Sequence, residues 1–301
     1  MKAESLDSGA ILNALTVDVE EHFQVSAFAD VVPRDAWETM PSRVEANTDR
    51  LLALFDACGV RATFFVLGWV AERRPRLVRR IAYLGHEIGS HGFSHRLVHD
   101  QEREAFRAET ERSRKFLQDA SGQPVHGYRA ASFSIGRRNL WALDVLAQAG
   151  FRYDSSVFPV VHDRYGMPGA PRRIHHLTTP EGARLVEVPP STLGRGKTTL
   201  PVAGGGYLRI YPAALTYWAV SRLNRRERIP AVVYVHPWEL DPEQPRIRAP
   251  LKSRFRHYYG LRSTARKLSG LLARHAFGPM LSVVERWESA GADSPPPRTG
   301  G

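Results

Sequence analysis

Short apolar runs alternate along this chain with longer stretches whose apolar positions fall at helical spacing. Residues 11–19 are largely apolar and rich in β-branched side chains, which predicts a buried strand. Residues 42–57 carry Val44, Leu51, Leu54 and Phe55 at helical spacing, and 62–67 (Ala-Thr-Phe-Phe-Val-Leu) read as a second strand. Helical periodicity returns over 72–84 and 101–117, with a short strand at 87–90 between them, and Ser121-Gly122 closes the second helix. A fourth strand ends at Tyr128. A helix over 138–149 stops at Gly150, a fifth strand starts over 151–153, and 185–188 and 231–235 supply two more.

Strands alternating with helices predict a mostly parallel sheet covered by helices, an α/β fold. Seven or eight such units suggest a closed or nearly closed barrel, with an open doubly wound sheet as the alternative. No glycine fingerprint follows the first strand, which counts against a dinucleotide fold. Gly204-Gly205-Gly206 reads as a flexible turn or, less simply, a ligand-facing loop. After Asp241 the chain becomes Pro-rich and charged, then basic and aromatic over 251–259, then helical over 263–276. The expected organisation is an N-terminal tail (1–10), a barrel (11–240), a C-terminal, mainly helical extension packed on it (241–288) and a disordered polar tail (289–301).

With 301 residues and 43% hydrophobic content the chain can bury one large core. Its one cysteine, Cys58, excludes an internal disulfide and reads as a small core residue. The net charge of +11 comes mainly from scattered arginines mixed with Asp and Glu. No basic run is interleaved with stacking aromatics, so nucleic acid is not an expected partner, and the charge reads as solubility and substrate steering. The basic segment 252–266 reads as a solvated helix face, with a membrane or an acidic glycan as the alternative contact. No run of about 18 apolar residues occurs, so no spanning helix is expected. Met1–Gly9 lacks the pattern of a secretory signal, which predicts a cytoplasmic protein, with a membrane-peripheral position as the alternative.

Polar residues follow the predicted strand ends: Asp18, Glu20 and His22, then His91 and His95, then Arg129, Asp154 and His236. In a parallel barrel all strand C-termini open on one face, where active sites are built. Alternation puts Thr16, Asp18 and Glu20 on the side opposite Leu15, Val17 and Val19. Two buried carboxylates side by side call for a cation; a solvated acidic turn is the plainer alternative. His91 and His95, at i and i+4, lie on one face of a helical turn and can share a metal. His236 ends an apolar strand and could protonate a leaving amine, or be a satisfied core histidine.

Together these segments resemble the polysaccharide deacetylase family, the carbohydrate esterases with the NodB-type fold. The resemblance rests on five motifs in order: Thr16-Val17-Asp18-Val19-Glu20-Glu21-His22-Phe23, Ser90-His91-Gly92-Phe93-Ser94-His95, Gly127-Tyr128-Arg129-Ala130-Ala131-Ser132-Phe133-Ser134, Tyr153-Asp154-Ser155-Ser156 and Val235-His236-Pro237-Trp238-Glu239. Asp154-Ser155-Ser156-Val157-Phe158-Pro159, His162-Asp163-Arg164-Tyr165-Gly166, the stretch Pro201 to Tyr207 and Ser253-Arg254-Phe255-Arg256-His257-Tyr258 resemble one branch, the deacetylases of PEP-CTERM/exosortase exopolysaccharide loci. The resemblance implies a distorted or incomplete (β/α) barrel of seven or eight units and a divalent metal, commonly zinc. It makes Asp18 the general base, His91 and His95 metal ligands, Arg129 the residue that orients the base, and His236 the general acid. Many members carry two adjacent aspartates, but Val19 follows Asp18 here, so strand parity favours Glu20 as the third ligand, with Glu21 as the alternative. Tyr128, Ser132, Asp154, Tyr207 and Trp238 are the expected substrate contacts. The implied reaction removes N-acetyl groups from amino sugars of an exopolysaccharide or its lipid-linked precursor. An allantoinase-like ureide hydrolase and a non-catalytic glycan-binding protein are the rival readings.

Overall fold

The computed structural model describes residues 10–195, 198–202 and 204–291. The strands are β1 (Asn13–Val19), β2 (Thr63–Val66), β3 (Glu87–Ser90), β4 (Gly127–Tyr128), β5 (Tyr153–Asp154), β6 (His175–Thr178), β7 (Arg184–Glu187), β8 (Thr192–Arg195), β9 (Thr198–Pro201), β10 (Val232–Val235) and β11 (Phe277–Gly278). The helices are α1 (Val44–Ala57), α2 (Gly68–Arg73), α3 (Pro75–Tyr83), α4 (Arg103–Ser121), α5 (Trp141–Gln148), α6 (Gly206–Ile210), α7 (Ala213–Arg222), α8 (Leu251–Tyr258), α9 (Leu261–Leu272) and α10 (Met280–Ser289).

One sheet carries the site, in the order β10-β1-β2-β3-β4-β5-β7-β6. All neighbours are parallel except β6 with β7, and β11 adds to the start of β1. The sheet curls into a half-barrel. Beyond β7, Ser191 reaches across to β10: its Oγ accepts from the Val232 N–H at 2.7 Å, and its own N–H points to the Val232 carbonyl at 3.4 Å.

Alternation along β1 explains where the core sits. Leu15, Val17 and Val19 face outward into an apolar layer shared with α1 to α5, while Ala14 belongs to a second cluster inside the curl. That inner cluster holds Phe65, Tyr153, Val186 and Val232, and Met280, Val283 and Val284 of α10 close it. Full burial of each such side chain is worth about 1.5–3 kcal/mol. Higher in the curl the inward positions turn polar, to Thr16 and Asp18, so one end is plugged with hydrocarbon and the other holds charge. The extension therefore completes the barrel's interior as well as packing on it.

Several details differ from the sequence expectation. The helix expected over 72–84 is two, α2 and α3, because Pro75 opens a new first turn. The edge strand β6, the hairpin β8–β9 and the two-residue β11 have too little apolar alternation to be anticipated. Gly204 is a close-approach glycine and not a flexible turn. It bridges Tyr234 at φ 132°, and a Cβ there would lie 1.9 Å from the Tyr234 carbonyl oxygen. The N-terminal tail to residue 9, and the expected C-terminal tail from residue 292, lie outside the described residues.

Candidate active site

The C-terminal ends of β1, β3, β4 and β10 bring Asp18, Glu20, His91, His95, Arg129 and His236 together. All but Arg129 line one open cavity of about 370 Å³. Arg129 lies beneath it, fully buried. Its Nη1 donates to Asp18 Oδ1 at 2.8 Å and to Thr16 Oγ1 at 2.7 Å, and its Nη2 to Ser155 Oγ at 3.0 Å. Phe65 lies under the guanidinium, 4.4 Å from ring centre. Asp18 is thus fixed from below with its other oxygen toward the cavity.

One ligand atom each from Glu20, His91 and His95 lies within 4.8 Å of the others, and all three residues are buried. Glu20 Oε2 has no hydrogen-bond partner, although His95 Nε2 stands 2.9 Å away. Leaving a buried carboxylate oxygen undonated is costly, so this donor set suits a cation. His91 Nδ1 meets the Arg129 carbonyl at 2.8 Å, which leaves Nε2 as the ligating nitrogen. Burial holds the His91 imidazole down to about 4, so it is neutral near pH 7. For Glu20, burial alone would raise the carboxyl, but His95, His236 and His91 outweigh it and bring it down to about 2.

The two histidines do not sit on a helical turn as expected. Gly92 at φ 74° and His95 at φ 52° fold His91–His95 into a left-handed bend, and the two rings lie 5.4 Å apart. Glu21 turns away from this cluster. Its carboxylate accepts from Ser42 Oγ and from the Arg43 N–H at the N-terminus of α1, where negative charge is favoured.

His236 enters from the opposite wall. Its Nε2 is 3.7 Å from Glu20 Oε1 and 3.9 Å from Asp18 Oδ2. Its Nδ1 faces Glu239 Oε2 at 3.2 Å, and Arg209 Nε donates to the other Glu239 oxygen at 2.5 Å. Burial disfavours the imidazolium, yet Glu239, with Glu20 and Asp18, raises it to about 9. Trp238 stacks between His236 and His257, and its Nε1 donates to Glu20 Oε1 at 3.1 Å.

Of the five expected substrate contacts, Ser132, Tyr207 and Trp238 line the cavity. Tyr128 and Asp154 do not, and the reason is parity. Arg129 and Ser155 point inward, so the residues before them point out: Tyr128 packs on Phe106 and Phe151, and Asp154 is spent on the Ser156 N–H and Oγ. Sequence reasoning missed Ser26, His257, Arg209 and Glu239. Glu239 was the one with a visible trace, a carboxylate three residues after His236 in a short turn. Ser132 is held in left-handed geometry (φ 50°, ψ 32°) with its Oγ 2.7 Å from Ser26 Oγ, a strain of the kind that clusters at functional sites.

Residues 35–153 match the polysaccharide deacetylase family model, and residues 155–285 match one described as a domain of unknown function, DUF3473. The second region supplies β10 and His236 to the same sheet as the first, and β1, with Asp18 and Glu20, precedes both matched regions. A peptidoglycan-N-acetylglucosamine deacetylase of Bacillus cereus is 48% identical over 48 residues, 16% of this chain and 18% of that protein. The matched stretches span under two fifths of the curated relatives' length. Among solved structures, a Mycobacterium smegmatis protein assigned to the polysaccharide deacetylases superposes over 99% of this chain and 97% of its own (TM-score 0.65, 21% identity). An allantoinase superposes over 96% and 94% (TM-score 0.62, 14% identity). At these identities the structures speak for the fold. The sequence match to the polysaccharide deacetylases thus covers residues 35–153, and the solved structures carry the NodB-type fold over nearly the whole chain.

Proposed function

We propose that this chain hydrolyses N-acetyl groups on amino sugars of a glycan, with a divalent metal held by Glu20, His91 and His95. The observation that carries the reading is the buried Glu20–His91–His95 cluster set between an Arg129-held carboxylate and a Glu239-held imidazole. Zinc is the metal we assign, on a donor set of two imidazoles and one carboxylate. When bound, such a cation supplies Lewis-acid polarisation of the acetyl carbonyl and acidifies water.

Asp18 takes a proton from the water that attacks the acetyl carbon, using the oxygen that Arg129 leaves free. For the developing oxyanion we assign the N–H of Ser132. Two other donors in that loop are engaged, the Arg129 N–H by the Ser90 carbonyl and the Ala130 N–H by Ser156 Oγ, and the Ala131 N–H is the neighbouring alternative. His236 Nε2–H passes its proton to the sugar nitrogen as the C–N bond breaks, releasing acetate and a free amine. Tyr207 offers an aromatic face to the sugar, while Trp238, stacked between two imidazoles, backs the cavity wall.

The finer reading is a substrate from exopolysaccharide synthesis, on the PEP-CTERM-branch segments, taken as a lipid-linked intermediate by a protein in the cytoplasm. Among the described residues no helix is long and apolar enough to cross a membrane. The experiment is acetate release from N-acetylated amino-sugar oligomers by chelated enzyme before and after zinc is restored. Metal-restored release is expected. Tight metal binding with no release from any oligomer, but turnover of a small ureide, would replace this reading by the allantoinase-like one.

A further inference from the structure

Much of the chain's net positive charge falls in one stretch of the extension. Between Gln244 and Glu285 there is no Asp or Glu, and nine residues are Lys or Arg, against a net charge of +11 for the whole chain. Within this stretch α8 carries Leu251, Phe255 and Tyr259 (the residue that ends it) at i, i+4 and i+8, a single stripe along the helix. They are 79%, 53% and 48% exposed, unusual for large apolar side chains, and Phe255 and Tyr259 lie with ring centres 4.9 Å apart. Ser253 and His257, on the other face, are buried against the body of the protein. The stripe is flanked by the exposed cations Arg246, Arg248 and Arg254, so its apolar centre has a basic margin.

We infer that the α8 stripe and its basic margin dock on an anionic membrane surface, beside the mouth of the active-site cavity. Apolar side chains that enter the headgroup region, with Lys and Arg left beside the phosphates, are how an interfacial helix binds. Charge complementarity chooses the occupant: an acidic bilayer satisfies the margin and the stripe at once. A soluble acidic glycan would satisfy only the cations and leave Leu251 in water. The position is tied to the site. Lys252 Nζ reaches Asp163 at 2.7 Å and Arg256 reaches it at 3.3 Å, while Arg256 also lines the cavity, as do His162, Arg164 and Tyr165 around Asp163. Val161 in that same loop is 72% exposed. A chain seated this way opens its cleft at headgroup level. The docking itself does not depend on the deacetylase reading.

The test is co-sedimentation of the full chain with vesicles of phosphatidylcholine alone and of phosphatidylcholine mixed with phosphatidylglycerol. Binding is expected on the mixed vesicles and not on the neutral ones. L251S/F255S is expected to weaken it by about tenfold or more, since partition scales with buried apolar area. Both side chains are exposed, so the variant keeps the fold, checked by circular dichroism. R76Q/R79Q removes two exposed cations from α3, away from the stripe, and is expected to leave binding unchanged. No binding to mixed vesicles at low salt overturns the inference. So does equal binding of wild type and L251S/F255S, which would reduce the effect to diffuse charge. Displacement of the vesicles by a soluble acidic polysaccharide that binds both forms alike would assign the surface to a glycan instead.

Discussion

His236 and Glu239 are joined twice: one carboxylate oxygen accepts from the His236 backbone N–H at 2.9 Å and faces the ring Nδ1 at 3.2 Å. The second oxygen is taken by Arg209, which also donates to the carbonyls of Arg256, His257 and Tyr259. The ring is therefore held at Nδ1 with Nε2 presented to the cavity, and the hold is anchored in the extension. Glu239→Gln is expected to lower kcat by about ten- to a hundredfold with KM little changed, as for other partners that orient a working histidine. Retention of both rate and KM would show that Glu239 only packs the turn. Arg209→Met strips the donor from one oxygen of a fully buried carboxylate and leaves His236 as its remaining partner, so it is expected to cost about 3 kcal/mol in a denaturant melt.

The same logic applies under the opposite wall. Asp18→Asn keeps the shape and removes the base, so acetate release is expected to fall by about 10²–10⁴ while metal content stays at wild type. Arg129→Lys keeps one charge but cannot reach Asp18, Thr16 and Ser155 together, so it is expected to lose both activity and thermal stability. An active Asp18→Asn protein would remove Asp18 from the reaction.

The order of strands and helices, and most residues of the site, were legible because alternation along parallel strands fixes which side chains reach the open end. β1 is the clear case: Thr16, Asp18 and Glu20 fall on the cavity side as their spacing requires. The same rule, applied to Tyr128 and Asp154, would have excluded them, since each precedes an inward residue by one. What stayed hidden depends on tertiary approach. Arg209 is distant from Glu239 in sequence, and no local pattern marks their pairing. β11 is two residues long and exists because β1 offers it an edge. The bend that joins His91 to His95 uses left-handed backbone, at Gly92 and at His95 itself, which the His-x-x-x-His spacing does not reveal.

Glu20 and Glu21 are adjacent carboxylates with different work, and substitution separates them. Glu20→Gln is expected to lower zinc stoichiometry after dialysis against a weak chelator and to abolish the rise in Tm that zinc gives the wild type. Glu21→Gln weakens only the start of α1, where Ser42 and the Arg43 N–H use its carboxylate, so it is expected to lose about 1 kcal/mol of stability and keep its metal. Loss of metal in the Glu21 variant alone would move the third ligand to that position.

Asp241 links the barrel's first helix to the turn after His236, and it predicts how the fold responds to acid. Its side chain is fully buried, with Arg43 at 2.5 Å, Arg50 at 3.2 Å and Asn47 at 3.3 Å. Burial alone would raise this carboxyl, but the two arginines and Asn47 outweigh it, so it titrates below its ordinary value. A group whose folded pKa is depressed adds stability that is complete above its unfolded pKa, about 3.9, and is lost as pH falls through the folded one. Asp241→Asn is therefore expected to be less stable than wild type near neutrality, by about 1–2 kcal/mol because both arginines are partly in water. The gap should close as the pH drops below about 4. Urea midpoints of both proteins across an acid series measure this directly. A gap that stays constant into strong acid would mean that the asparagine variant fails by shape and hydrogen bonding, and that the charge of Asp241 contributes nothing.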